Sequence, residues 1–167
     1  MTALKLKPDH IAHYNLGTAY SRQGRLDEAI QEYSTAVKLQ PDFIDAHYNL
    51  GTAYSRQGRL EEAIQEYLTA VRLKPDFIDA HNNLGIAFFS HGDLEEAIQE
   101  FLIVIRLKPD HIEAHYSLGS VYQLKGLKDE ARKQFEMVLK LKPNLIPAQK
   151  ALKSLDSPGI NSSIAHH

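Results

Sequence analysis

The sequence predicts an all-α solenoid of stacked antiparallel helix pairs, and three observations carry that expectation. First, the chain repeats itself: the 21 residues from His13 to Tyr33 return from His47 to Tyr67 with one Asp-for-Glu change, 34 positions on. Glycines at 17, 51, 85 and 119 and at 24, 58, 92 and 126 keep the same spacing, as do alanines at 29, 63, 97 and 131. Second, apolar residues inside each unit are spaced as on helices: Leu60, Ala63, Ile64, Tyr67, Ala70 and Val71 fall at i, i+3, i+4 and i+7. Third, glycine and proline punctuate every unit at the same places. A fixed period of this length is the mark of units that bury their apolar faces only by stacking on one another.

The elements follow in order. Leu50, Gly51 and Tyr54 lie on a first helix that must end by Gly58, because glycine adopts the left-handed conformation of a helix terminus at least cost. A second helix, opened by acidic pairs such as Asp27–Glu28 and Glu61–Glu62 that complement the helix dipole, runs until Pro75 or its equivalents Pro41, Pro109 and Pro143 stop it. "PDFIDA" starts the next pair, with Asp76 the expected N-cap. The expected domain is 1–155, with repeats at about 10–43, 44–77, 78–111 and 112–145. Residues 1–9 match the end of a second helix, so the start reads as a cut inside a longer array. Residues 146–155 read as a more polar capping helix, and the Ser/Gly/Pro-rich 156–167 as a mobile tail.

Leu50, Gly51, Tyr54, Ala63, Tyr67, Ala70 and Pro75 together resemble the tetratricopeptide repeat (TPR) pattern, and the resemblance covers roughly residues 2–155. It implies a right-handed superhelix whose first helices line a concave face. One departure is that His13, His47, His81 and His115 stand where the family usually has tryptophan.

Composition narrows the function. With 19 basic and 21 acidic residues interspersed, no basic stripe tracks a phosphate backbone, so nucleic acid is not expected as a partner. The absence of Cys removes disulfides and thiolate zinc sites. No apolar run approaches the ~20 residues of a membrane span, and no secretory signal opens the chain, so a cytoplasmic protein without membrane insertion is expected. The four spaced histidines are each one repeat apart, too far for two of them to share a metal ion, so packing roles and no metal are expected. No nucleophile elbow, P-loop or dinucleotide fingerprint is present, and the acidic pairs recur once per unit as structural features do. Neither enzyme activity nor a cofactor is expected.

Carried over residue by residue, the family's ligand positions fall on the first helices. They are Tyr14, Asn15, Thr18 and Arg22, then Tyr48, Asn49, Thr52 and Arg56. The third repeat supplies Asn82, Asn83, Ile86 and Phe89, and the fourth Tyr116, Ser120 and Gln123. The dicarboxylate clamp of chaperone-binding TPR domains is not matched, since Tyr14, Thr18, Asn49, Asn82 and Ile86 stand at its Lys, Asn, Asn, Lys and Arg positions. Asn15, Asn49 and Asn83, one per repeat, instead resemble the asparagine ladder of O-linked N-acetylglucosamine transferases. A primary amide both donates and accepts, so a column of them suits a peptide main chain; the alternative is that each amide bonds the neighbouring repeat.

The expected function is a non-catalytic scaffold that binds an extended or helical segment of a partner protein. The alternative is a structural or self-assembling array, duplicated or engineered, because repeats 13–46 and 47–80 differ only at positions 27, 34, 38 and 40. Leu4 and Leu6, apolar and without a first helix before them, add an expected self-association through the N-terminal repeat.

Overall fold

A computed structural model of the chain describes residues 9–156, and within them every regular element is a helix. The helices are α1 (His10–Arg22), α2 (Leu26–Leu39), α3 (Ile44–Arg56), α4 (Leu60–Leu73), α5 (Ile78–His91), α6 (Leu94–Leu107), α7 (Ile112–Leu124), α8 (Lys128–Leu141) and α9 (Ile146–Asp156). The fold class is an all-α solenoid, as the 34-residue register predicts. The expected second-helix remnant, apart from Asp9, and the tail beyond Asp156 lie outside the described residues, as do Leu4 and Leu6.

Packing divides the chain into two compact units between Glu100 and Phe101, inside α6. In the first unit α1 packs on α2, α2 on α3, α3 on α4 and α4 on α5, and the first helices α1, α3 and α5 also touch in succession. Its core includes two clusters: Ala29, Tyr33, Leu50 and Ala53, then Ala63, Ile64, Tyr67, Leu84 and Ala87. In the second unit α7 packs on α8 and α8 on α9, around Ala131, Phe135 and Leu155.

Two glycine positions explain the hairpins. Gly58 has φ +75°, the left-handed turn that ends α3 and lets α4 fold back. Gly51 permits the close approach of the two helices: a Cβ there would sit 2.9 Å from the Tyr67 ring, inside contact distance.

The N-cap expected at Asp76 is not formed. α5 starts at Ile78, its capping position is Phe77, and no side chain caps it. The helix opens two residues after the aspartate, so its capping position falls on a residue with no side-chain acceptor. Asp9 shows the converse: α1 begins immediately after it, and Asp9 Oδ1 accepts from the Ile11 amide at 2.9 Å.

Candidate functional site

The first helices of the first unit carry a row of polar side chains linked from repeat to repeat. Asn49 Nδ2 on α3 donates to the Tyr14 hydroxyl on α1 at 3.0 Å, and Asn83 Nδ2 on α5 donates to the Tyr48 hydroxyl on α3 at 3.1 Å. Of the two readings of these amides, the bond to a neighbouring repeat is the one present here: one N–H of Asn49 and one of Asn83 go to the tyrosine of the preceding repeat. Residues 35 apart meet because the first helices stack in succession. Asn15, at the same position in α1, is exposed.

Each tyrosine is held on three sides. The Tyr14 ring lies 4.9 Å from Phe43 and 5.9 Å from Tyr33; Tyr48 repeats this with Phe77 at 4.9 Å and Tyr67 at 6.0 Å. Partial burial pushes both phenols above their usual pKa, with Asp45 adding to the effect at Tyr14 and Asp79 at Tyr48. Thr18 and Thr52 donate back to the carbonyls of Tyr14 and Tyr48, and accept from the hydroxyls of Tyr33 and Tyr67 at 3.2 and 3.1 Å. Arg56 reaches the preceding repeat, donating from Nη1 to both the carbonyl and the hydroxyl of Ser21 at 3.1 Å. Arg22 is exposed at the end of α1.

The third repeat departs from this pattern. Asn82 replaces the tyrosine, and its Oδ1 is buried with no hydrogen-bond donor. Ile86, 40% exposed, replaces the threonine, and Phe89 is half-buried nearby on α5. In the second unit Tyr116 packs on Phe135 at 5.6 Å and accepts at its carbonyl from Ser120. Gln123 Nε2 donates to Ser154 of α9, so that side chain braces the last helix.

The histidines do more than fill the tryptophan position. His47 Nδ1 lies 2.6 Å from Glu66 Oε2 and its Nε2 3.0 Å from the Pro41 carbonyl, tying loop, first helix and second helix together. His81 does the same with Glu100 and Pro75, and His115 with Gln134 and Pro109. His13 meets Glu32 at 2.6 Å. Both oxygens facing His47 accept, so a ring that serves both carries a proton on each nitrogen. Glu66 accordingly raises the His47 pKa; burial opposes the shift and the Pro41 carbonyl adds to it. Sequence reading missed these ties, although one signal was present: residues 32, 66, 100 and 134 recur in step with the histidines, 19 positions behind.

No group of three metal-ligating side chains is found among the described residues, and no helix among them is long and apolar enough to cross a membrane. No match was found among curated protein sequences. Among solved structures, the crystal structure of MamA protein is 27% identical, with a TM-score of 0.85 over 87% of this chain and 80% of that one. The first TPR of Spaghetti (RPAP3), bound to the HSP90 peptide SRMEEVD, is 28% identical with a TM-score of 0.68, over 70% of this chain and 93% of that one. Pseudomonas aeruginosa pilF, 24% identical with a TM-score of 0.76 over 87% of this chain and 67% of that one, shares the fold. Sequence profiles of the tetratricopeptide repeat match residues 18–58, 53–92, 87–126 and 112–145. With the 34-residue register, the glycine-mediated hairpins and the stacked first helices all agreeing, this chain belongs to the tetratricopeptide repeat family, whose members are protein-interaction scaffolds.

Proposed function

We propose that this chain is a non-catalytic scaffold that binds a peptide segment of a partner protein on its first-helix face. The observation that carries the reading is the row Tyr14–Asn49 and Tyr48–Asn83, fixed by hydrogen bonds from one repeat to the next. A row held in place before binding loses little side-chain freedom when a ligand arrives. Asn49 keeps a second N–H and a carbonyl oxygen with which to meet a peptide main chain, and Asn83, whose amide also acts on the Tyr67 hydroxyl, keeps its carbonyl oxygen. Ile86 and Phe89 add an apolar stretch, so an extended amphipathic segment fits better than a uniformly charged one. The peptide-bound TPR structure described above supports this use of the fold.

The test uses the full chain against a displayed library of random peptides. Selected peptides should lose at least about tenfold in affinity for the Arg22→Glu, Ile86→Glu double variant, equivalent to about 1.4 kcal/mol. Both residues are exposed, so melting should move by no more than about 2 °C. Undiminished binding by the double variant, or no selected peptide at all, overturns the reading.

A further inference from the structure

The first two repeats each cover an aromatic ring with their own arginine. The Arg25 guanidinium carbon lies 4.3 Å from the Tyr20 ring centroid, and its Nε and Nη2 donate to Glu28 Oε1 at 2.9 and 2.7 Å. Arg59 repeats the arrangement over Tyr54 at 4.4 Å, donating to Glu62 Oε1 at 2.9 and 2.6 Å. Asp27, from the second helix before it, also acts on Arg59.

The third repeat keeps the ring and the carboxylates but reverses the charge between them. Phe88 stands for Tyr54, Glu61 occupies the place of Asp27, and Glu96 that of Glu62. The arginine position is Asp93. A cleft of about 410 Å³ opens here, with Ile64, Leu68 and Phe88 among its lining residues. Glu61, Glu62, His91 and Asp93 supply its charged edge. Arg59 already engages Glu62, whereas Glu61 and Asp93 share only His91, at 3.3 Å from Nε2 and 2.8 Å from Nδ1. Asp93 first and Glu61 after it raise the His91 pKa, so a protonated ring bonds both, and two carboxylates against one imidazolium still leave the pair with net negative charge.

We propose that this cleft binds an arginine side chain from a basic segment of a partner protein, its guanidinium over the Phe88 ring and between Glu61 and Asp93. The guanidinium that repeats one and two supply internally then comes from outside. Charge selects a cation, and the ring selects a planar one that stacks. Leu68, 38% exposed, and Ile64 offer apolar surface to the methylene stem and to an apolar neighbour on the peptide. The site is separate from the first-helix row, since none of its residues belongs to it.

The experiment titrates the full chain, labelled with ¹⁵N, with the acetylated and amidated tripeptide Leu-Arg-Leu and with its citrulline counterpart, which keeps the shape and removes the charge. The arginine peptide should shift the amides of Phe88, His91 and Asp93 saturably, and the citrulline peptide should bind about tenfold more weakly. Asp93→Arg installs the residue already present at positions 25 and 59, and should abolish binding without loss of the folded spectrum. Glu61→Gln, at a position whose side chain is 74% exposed, should weaken binding severalfold. Equal binding of the two peptides, shifts confined to α1 and α3, or parental binding by Asp93→Arg overturns the proposal.

Discussion

Residues 13–26 and 47–60 are the same fourteen amino acids in the same order, yet they occupy different environments. Leu16 is 42% exposed where Leu50 is 2%, and the His13 side chain is 33% exposed where that of His47 is 11%. Ala12 and Ala19 are exposed, while Ala46 and Ala53 are buried. The difference is α2, whose Ala29, Tyr33 and Val37 cluster with Leu50 and Ala53. Identical sequence thus contributes different stability according to what stacks against it. That is the nearest-neighbour behaviour expected of a solenoid.

The largest test of this contrast is leucine truncation. Leu50→Ala should cost about 2–5 kcal/mol, because it empties a packed site. Leu16→Ala, at a partly exposed position, should cost less than about 1 kcal/mol. Chemical denaturation of the two variants side by side measures the gap, and equal losses would mean that the two repeats do not differ in packing.

The histidines give the next effect. His47→Phe removes the donor to the Glu66 carboxylate and the Pro41 carbonyl, and should cost about 2 kcal/mol. His13→Phe, with a more exposed ring, should cost less. pH sharpens the point. The folded state raises the His47 pKa above its ordinary 6.5, so the stabilisation is complete below that value and is lost as pH climbs through the raised one. Unfolding midpoints measured from pH 6 to 9 should fall in the parent protein, and this component should vanish in Glu66→Gln.

The smallest expected effect is at the asparagines. Asn49→Ala and Asn83→Ala each remove one side-chain bond to a tyrosine and should cost about 1 kcal/mol in melting experiments. Asn15→Ala, on exposed α1, should be nearly neutral.

These residues also mark what the sequence could and could not reveal. Hairpins were legible because their signals are local: Gly58 and Pro75 end helices within a few residues of themselves. The Tyr14–Asn49 bond was not, because it depends on how far one first helix is displaced from the next, a quantity that no single repeat contains. The His47–Glu66 pair lay between, visible as two series in step but silent about which side chains point together. The cleft at Phe88 was hidden for another reason. The shared framework specifies the fold, whereas the information there is a coordinated departure from it, with Tyr54, Gln57 and Arg59 answered by Phe88, His91 and Asp93.

The Pro41–His47–Glu66 tie has a consequence for how such a chain grows. All three of its members fall within one stretch shorter than the 34-residue period, as do Pro75, His81 and Glu100. A copy of the stretch from one proline to just before the next therefore arrives with its own brace, and needs nothing from its new neighbours to hold its loop and two helices in register. Between copies of the first two repeats, links such as Asn49 to Tyr14 or Gln57 to Asp27 are regenerated at the new junction, because each looks back one period to a face that these two repeats share almost residue for residue. Duplication of these first repeats yields a unit that is internally complete and externally compatible at once, so length can change by whole repeats without redesign of those joints.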